Sequence, residues 1–396
     1  MSLLPVPEAL ETILNSTNEL DTETIHLNDA LGRVTANDIT SNLTQPPFAA
    51  SAMDGYAVKY DDIDKPLTVI GESQAGNSFD GTIENGEAAR IFTGAPMVDG
   101  ADTVVIQENV TRNGDQIIIN DCKAKGSNIR AAGGDFKNGD VLVTKGTKIG
   151  ARQIALLAAG NVAEISVYRQ PKVAILSTGD ELLEVGSEIG PDKIVNSNVP
   201  LFMALVEENG GIPINLGTAK DTLKDVQTKI ALVKDVDIFV SIGGVSVGDY
   251  DIIQDVLKEA GLKVDFWKVA MQPGKPIVYG DFNSIRYFGM PGNPSSSYVC
   301  FANFMLPAMN KMQGLDGVGY PTSMATVDHD IRAGSGRMNY MRAIYRENED
   351  GTKSVDASFN QGSARLKTMS DANCLLIRDV SAPEAKAGDL VKIVLI

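Results

Sequence analysis

The sequence predicts a multidomain α/β protein with a central doubly wound α/β domain, an inserted β-rich domain and a small C-terminal β domain. The chain has 396 residues, which exceeds the roughly 250–300 residues at which a single hydrophobic core stops growing. Strand and helix patterns alternate over residues 172–312. Short β-type segments separated by Gly, Asn and Asp fill residues 41–146 and return after residue 322.

The N-terminal part predicts a linking domain of helices and strands made of two separated stretches, residues 1–40 and 145–170. Residues 5–17 begin with a proline and have the apolar spacing of a first helix. Residues 24–31 are typical of a strand that runs into a short helix, and residues 148–162 are typical of a second helix. The inserted β-rich domain is therefore expected over residues 41–144.

The α/β domain is expected over residues 171–321 and the C-terminal β domain over residues 322–396. The predicted strands of the α/β domain are 172–177, 212–217, 237–242, 263–269 and 286–290. The predicted helices are 200–209, 223–233, 250–260 and 295–312. The strand at 237–242 is almost continuously apolar, which is expected for a parallel strand covered on both faces.

Charge and cysteine content exclude several classes of function. The formal net charge of −16 disfavours nucleic acid and anionic membranes as partners, because both attract an excess of Lys and Arg. Cys122, Cys300 and Cys374 are far apart and favour neither a structural zinc site nor a disulfide framework. His26 and His329 have no neighbours in a known metal-ligand spacing. The chain opens without a signal-peptide pattern and lacks long apolar runs, so we expect it to be cytoplasmic.

Glycine, hydroxyl and charged residues follow each of the five predicted strands. The carboxyl ends of parallel strands meet at one edge of the sheet, and ligands bind there. The residues that we expect at this edge are Thr178, Gly179, Asp180, Thr218, Asp221, Gly243, Gly244, Ser246, Gly248, Asp249, Asp251, Gln272, Lys275, Pro291, Gly292, Asn293, Ser295, Ser296 and Ser297. The sequence therefore predicts one ligand-binding site at this edge.

The glycines and serines of this set are suited to binding an anion. Glycines at 243, 244 and 248 would let backbone N–H groups approach a phosphate at the start of a helix. Residues 243–248 match neither a Walker A motif nor a GxGxxG motif. Residues 295–297 could donate hydrogen bonds to phosphate oxygens. The alternatives are a tight strand–helix turn without a ligand and a rigid turn with a serine cap.

The carboxylates of Asp180, Asp221, Asp249 and Asp251 would repel one another unless a cation lay among them. Mg²⁺ is held by one or two carboxylates together with ligand oxygens, so these residues favour a magnesium site. The alternative is that Asp221 and Asp249 only cap the helices that follow them.

Seven sequence segments together resemble one protein family, the molybdopterin molybdotransferases (bacterial and archaeal MoeA, and the E domain of gephyrin). The segments are SAMDGYAV (51–58), NIRAAGGD (128–135), ILSTGDEL (175–182), SIGGVSVGDYD (241–251), FWKVAMQPGKP (266–276), FGMPGNPSSS (288–297) and FNQGSARL (359–366). They occur in the order of the family and extend over nearly the whole chain.

The resemblance implies four domains, with the central α/β domain binding molybdopterin, in an elongated homodimer whose active site lies between protomers. It implies an enzyme whose substrates are adenylylated molybdopterin and molybdate, which requires Mg²⁺ and whose products are molybdenum cofactor and AMP. The adenylyltransferase of the same pathway would be a partner.

The resemblance also implies roles for individual residues. The acidic positions of the family fall on Asp54, Asp135, Asp221 and Asp251, the basic positions on Lys268 and Arg342, and a serine on Ser363. On this basis Asp221 and Asp251 would hold Mg²⁺. A further lysine of the family corresponds to Gln272, which removes a positive charge that Lys275 could partly replace.

Two alternatives to a molybdotransferase remain at this point. The first is a docking protein, since the E domain of gephyrin also binds a receptor. The second is an enzyme of altered chemistry, either a tungstate-preferring relative, to which Gln272 points, or an adenylyltransferase. A bare adenylyltransferase would lack the terminal β domains.

Overall fold

The computed structural model describes residues 3–244 and 252–396, and for residue 252 the backbone only. The described residues form two compact units. The first unit holds residues 3–23, 32–36 and 167–396, and the second holds residues 24–31 and 37–166. The first unit thus contains both the expected α/β domain and the expected C-terminal β domain. The four domain boundaries drawn from the sequence stay a prediction.

The α-helices of the described residues are α1 (Val6–Ser16), α2 (Ala151–Ala159), α3 (Asn198–Glu208), α4 (Leu223–Ile230), α5 (Ile252–Glu259), α6 (Pro294–Cys300), α7 (Leu306–Met312) and α8 (Leu366–Asp371). A π-helical turn, Phe301–Met305, joins α6 to α7. The strands are β1 (Thr22–His26), β2 (Ile39–Thr40), β3 (Ala50–Ser51), β4 (Gly55–Val58), β5 (Leu67–Ser73), β6 (Glu87–Ile91), β7 (Thr103–Ile106), β8 (Val110–Asn113), β9 (Gln116–Ile119), β10 (Ile129–Arg130), β11 (Val141–Val143), β12 (Glu164–Tyr168), β13 (Lys172–Thr178), β14 (Leu182–Leu183), β15 (Ile194–Val195), β16 (Ile212–Ala219), β17 (Ile238–Ile242), β18 (Leu262–Trp267), β19 (Met271–Gln272), β20 (Val278–Phe282), β21 (Ile285–Met290), β22 (Thr322–Val327), β23 (Met338–Glu347), β24 (Lys353–Asp356), β25 (Cys374–Arg378) and β26 (Leu390–Leu395).

The first unit contains a six-stranded sheet with the strand order β16-β13-β17-β21-β20-β18. Strands β16, β13, β17 and β21 are parallel, and β20 runs antiparallel to both of its neighbours. In the register of this sheet, Ile175 lies opposite Val240, and Val240 lies opposite Phe288. The carboxyl ends of the four parallel strands therefore share one edge with the amino end of β20.

Apolar side chains cover both faces of this sheet. Along β13, Val173 and Ile175 belong to one hydrophobic cluster, whereas Ala174 and Leu176 belong to a second. The first cluster includes side chains of α1, α3, α6 and α7, and the second includes side chains of α4 and α5. Successive residues of a strand point to opposite faces, so the alternation shows helices on both sides. The prediction of a doubly wound sheet is confirmed. Because apolar side chains cover both faces, a site lined by polar side chains is expected at an edge of the sheet.

The C-terminal strands of the first unit close into a small barrel. Strands β23, β24, β22, β26 and β25 pair in that order, and β25 pairs back with β23. The hydrophobic core of this barrel includes the buried side chains of Ala343, Leu376 and Ile393. Strand β19 adds to β23 in parallel, with Met271 opposite Met338. The segment that precedes β20 is therefore hydrogen-bonded to the barrel.

The second unit is dominated by β-structure, as the sequence predicts. Its main sheet has the order β7-β4-β6-β5-β9-β8, and β2–β11 and β3–β10 form two further pairs. Alternate residues of β4 enter different hydrophobic clusters, with Ala57 in one and Tyr56 and Val58 in the other. Helix α2 begins after Gly150, whose N–H donates to the Gln153 side chain at 3.1 Å.

The described structure differs from the predicted elements at several points. Strand β20 is not predicted, because Gly280 and Asp281 interrupt its apolar pattern and both are typical of turns. The short strands β14 and β15 and the helix α8 are also absent from the prediction. The helix predicted over 250–260 is described from Ile252 onward as α5, and residues 250 and 251 lie outside the described residues. In the described part of the chain, no helix combines the length and apolar character that crossing a membrane would require.

Candidate active site

A cavity of about 820 Å³ opens at the carboxyl edge of the six-stranded sheet. Sites for small molecules usually have volumes of roughly 300–1,000 Å³. The wall contains these residues from the predicted site: Thr178, Gly179, Asp221, Gly243, Gly244, Lys275, Pro291, Gly292, Asn293, Ser296 and Ser363. The structure thus brings the ends of four parallel strands, the segment before β20 and part of the barrel to one cavity.

The floor of the cavity is backbone, because the strand ends approach one another closely. Gly243 donates its N–H to the Met290 carbonyl at 3.1 Å and has a φ of +90°. A Cβ atom at this position would lie 2.9 Å from the Thr178 carbonyl oxygen. L-residues with side chains rarely adopt such a φ, so glycine is required here. This accounts for a glycine at the end of β17 without invoking a ligand.

Asp221 gives one end of the cavity an acidic character. Helix α4 is capped by Thr222, whose hydroxyl accepts a hydrogen bond from the Asp225 N–H, so Asp221 is not the cap. The Asp221 carboxylate accepts from the Asp180 N–H at 3.3 Å, and the Asp180 carboxylate accepts from the Asp221 N–H at 3.1 Å. Asp180 itself lines a neighbouring cavity. Asp221 and Glu181 are the carboxylates of the main cavity wall within the described residues.

Lys275 and Arg337 make the opposite end of the cavity basic. Asp221 follows β16, whereas Lys275 precedes β20, which lies four strands away in the sheet. With a strand spacing of about 4.8 Å, strands β16 and β20 lie roughly 19 Å apart. Neither cation forms an ion pair with a carboxylate of residues 3–244 or 252–396. The cavity can therefore bind an elongated ligand with a cation at one end and anionic groups at the other.

The barrel contributes residues 361–363 to the cavity wall. Ser363 accepts a hydrogen bond from the Asn293 side chain at 3.1 Å, and its carbonyl accepts from the Ser295 N–H at 3.1 Å. Its own hydroxyl proton remains available for a ligand. The Gln361 side chain accepts from the Arg342 N–H and donates to the Arg342 carbonyl, both at 2.9 Å. These bonds fix the segment to β23.

Arg342 is buried behind this wall, with 1% of its surface exposed. One guanidinium nitrogen donates to the Gly362 carbonyl at 3.1 Å, and Nε is buried without a hydrogen-bond partner. Burial lowers the pKa of the guanidinium. No carboxylate of the described residues pairs with Arg342. A buried charge without a counter-ion is unfavourable, and an anion in the adjacent cavity would relieve it.

Three further residues of the predicted site, Ser295, Ser297 and Lys268, lie outside the cavity wall. The hydroxyl of Ser295 donates to the Arg365 carbonyl at 3.3 Å, and that of Ser297 donates to the Pro291 carbonyl. Both serines are fully buried, so within the serine segment only Ser296 faces the cavity. The Lys268 ammonium lies 4.1 Å from the centroid of the Trp267 ring. This is a cation–π contact, and the role predicted for Lys268 stays a prediction.

Asp54 and Asp135 lie in the second unit. The Asp54 carboxylate accepts from the N–H and the hydroxyl of Thr93, both at 2.8 Å, and these bonds lower its pKa. Asp135 lines a cavity of about 720 Å³ together with Arg130 and Phe48. The roles predicted for Asp54 and Asp135 stay predictions.

Several predicted residues lie outside the described residues, namely Ser246, Gly248, Asp249 and Asp251. Across residues 3–244 and 252–396, no group of three or more His, Cys, Asp or Glu side chains is placed to hold a metal ion. The assignment of Asp221 and Asp251 as a magnesium pair therefore stays a prediction.

The cavity wall also contains polar residues that the sequence does not single out, among them Arg337 and Asn198. Asn198 begins α3, is 8% exposed and donates its amide to the Gly292 carbonyl at 2.7 Å. Its Oδ1 is buried and has no donor among the described residues. An asparagine at a helix start is typical of a cap, so its pattern gives no indication of a ligand.

The sequence matches the regions of one family in order. Residues 4–160 match the MoeA N-terminal region (domain I and II), residues 174–311 match the probable molybdopterin binding domain, and residues 324–396 match the MoeA C-terminal region (domain IV). The resemblance inferred from the seven segments is confirmed by these matches.

Similar proteins agree with this assignment over almost the full length. A molybdopterin molybdenumtransferase of Haemophilus influenzae is 36% identical over 94% of this chain and 93% of its own. One from a Nostoc species is 38% identical over 82% of this chain and 79% of its own. The crystal structure of a molybdopterin biosynthesis moeA protein from Pyrococcus horikoshii OT3 superimposes with a TM-score of 0.85 at 31% identity and covers all of both chains. The chain therefore belongs to the molybdopterin molybdenumtransferase (MoeA) family.

Proposed function

We propose that this protein transfers molybdate to adenylylated molybdopterin and releases AMP and molybdenum cofactor. The relatives that cover most of the chain carry the name of this activity. Matches to the N-terminal and C-terminal regions of the family argue against a bare adenylyltransferase. The similar proteins are named for the transfer of molybdenum, which favours neither a docking protein nor the tungstate-preferring enzyme to which Gln272 points.

The observation that carries the proposal is the separation of charge along the cavity. Asp221 stands at one end and Lys275 and Arg337 at the other, with a backbone floor between them. Adenylylated molybdopterin is long and contains a phosphoanhydride, and molybdate is a dianion. The basic end offers compensation for the charge that accumulates when the two substrates meet.

The acidic end has a donor set that suits Mg²⁺. Asp221 lines the cavity, and Mg²⁺ in proteins is usually bound by one or two carboxylates together with substrate phosphates. We propose that Asp221 and Asp251 hold the ion. When bound, the ion would supply Lewis-acid stabilisation of phosphate oxygens.

The chain's own residues would position the substrates and stabilise their charge. Ser363 would donate its hydroxyl proton to a ligand oxygen, since that proton has no acceptor among the described residues. Lys275 would neutralise anionic oxygens directly. Arg342 would act through the electrostatic field of its buried charge behind residues 361–363.

We also propose that the protein is a homodimer, that it is located in the cytoplasm and that the adenylyltransferase of the pathway delivers its substrate. Lys268, Asp54 and Asp135 are proposed to take part in turnover, on the basis of the sequence resemblance.

Replacing Asp221 by Asn tests the proposal. The change removes the negative charge and keeps the side-chain size, so AMP release from adenylylated molybdopterin in the presence of molybdate and Mg²⁺ should fall about 100-fold. The apparent Mg²⁺ requirement should rise. The control is Asp235→Asn, an equal change of charge at an exposed residue before the amino end of β17. Undiminished AMP release by Asp221→Asn, with an unchanged Mg²⁺ requirement, would remove Asp221 from the proposed site.

A further inference from the structure

The guanidinium of Arg337 is held in the cavity wall by a neutral partner. One of its terminal nitrogens donates to the Gln272 side-chain oxygen at 2.9 Å. Both residues line the cavity, and Arg337 is half-buried. A glutamine orients a guanidinium but leaves its charge in place, whereas a carboxylate would cancel it. Arg337 forms no ion pair within the described part of the chain.

Backbone pairing fixes the location of this arginine. The N–H of Met338 donates to the Ala270 carbonyl at 2.8 Å, and Met271 lies opposite Met338 where β19 meets β23. Arg337 therefore reaches the cavity from the start of a paired strand. Arg337 directly precedes β23, and the bond to Gln272 further restricts the rotation of its side chain.

The donors left on this guanidinium suit a tetrahedral oxyanion. An arginine has five N–H donors in a planar fork, and only one hydrogen bond to the described residues engages the side chain here. The planar guanidinium can donate two parallel hydrogen bonds to two oxygens of a tetrahedral oxyanion. The ammonium of Lys275 acts as a point charge and does not impose this geometry. Asp221, by contrast, follows β16, which lies four strands from β20 in the sheet.

We infer that Arg337 binds a tetrahedral oxyanion at the basic end of the cavity and that Gln272 is its positioning residue. The inference rests on the proposed function for the identity of the oxyanion, which is molybdate or the phosphate group of the pterin substrate. In this arrangement Arg337 is the cation that donates hydrogen bonds to the oxyanion, and Gln272 is the neutral acceptor that holds Arg337 in place.

The first test measures equilibrium binding of molybdate alone and of inorganic phosphate alone to the purified full chain. Arg337→Ala should weaken binding of at least one anion about 100-fold, because charge-assisted hydrogen bonds are lost. The anion that is affected identifies the source of the oxyanion. Arg332→Ala, at an exposed arginine outside the cavity wall, should bind both anions as the wild type does. Unchanged binding of both anions by Arg337→Ala would overturn the inference.

Two further variants separate a charge effect from a structural one. Gln272→Glu keeps the size and the hydrogen bond but neutralises Arg337, so it should weaken binding about as much as Arg337→Ala. Gln272→Lys in the Arg337→Ala background returns a cation to the same place and should recover at least tenfold in affinity. If Gln272→Glu binds like the wild type and the double variant recovers nothing, Arg337 has only a structural role. Because these assays contain no pterin, they stand apart from AMP release: oxyanion binding without AMP release would contradict the proposed function and leave the anion site intact.

Discussion

Arg342 and Arg337 show how differently two arginines can serve one cavity. Arg337 is half-buried in the wall and has a neutral partner, Gln272. Arg342 is buried behind the wall, with an Nε that lacks a partner. Burying a charge without a counter-ion destabilises the folded state, so Arg342 lowers stability unless an anion is bound nearby.

Replacing Arg342 by Met tests whether this buried charge lowers the stability of the ligand-free protein and promotes AMP release. Methionine fills a similar volume without a charge, so the free energy of unfolding of the ligand-free protein should stay unchanged or rise by about 1–3 kcal/mol. AMP release should fall about 100-fold, because the field of the charge is lost. Denaturant unfolding and AMP release are measured on the same preparation.

The control for this variant is Arg346→Met in the same strand. Arg346 is exposed and pairs with Asp328 at 3.3 Å, so its loss should cost at most about 1 kcal/mol and leave AMP release unchanged. A strongly destabilised Arg342→Met protein that retains full AMP release would show that Arg342 is a structural residue only.

Residues next to predicted strands could be placed from the sequence, whereas residues that reach the site through tertiary structure could not. Thr178 ends β13, Gly243 and Pro291 directly follow β17 and β21, and parallel strand ends share an edge. Arg337 enters the wall because β19 pairs with β23, a contact between distant segments that no local pattern shows. Ser295 and Ser297 have the composition of a phosphate site, but their hydroxyls bond to carbonyls.

At the scale of elements, strand β20 decides where Lys275 lies. It inserts between β21 and β18 and runs antiparallel to both, so the segment before it meets the carboxyl edge of the parallel strands. A sheet without β20 would have the same helices and parallel strands but would not bring Lys275 to this edge. The sequence does not reveal this strand, because Gly280 and Asp281 resemble a turn.

Gly280 allows β20 and β18 to pair closely. A Cβ atom at position 280 would lie 2.1 Å from the Lys263 carbonyl oxygen on β18. Gly280→Ala should therefore lower the free energy of unfolding by about 1–3 kcal/mol, as overpacking does. Gly336→Ala is the control, because a Cβ there would meet no atom within 4 Å. Equal unfolding midpoints for the two variants would contradict this account of β20.

At the scale of the whole molecule, the distribution of charge sets the ligand preference. The chain has a formal net charge of −16, yet Lys275 and Arg337 face one end of the cavity and Arg342 is buried behind its wall. A protein of this charge repels anions at long range, so a local basic cluster is needed to bind them. The β-rich character of the second unit and the doubly wound sheet could both be predicted from periodicity. The closed barrel could not, since closure depends on β25 pairing back with β23.

The most direct test of the central claim measures two products at once. The purified protein is incubated with adenylylated molybdopterin, Mg²⁺ and either molybdate or tungstate, and AMP release and metal incorporated into the pterin are followed together. We predict that AMP appears in step with molybdenum incorporation when molybdate is supplied. Pterin that stays bound with no AMP released, or metal incorporation with tungstate alone, would contradict the proposed transfer of molybdate.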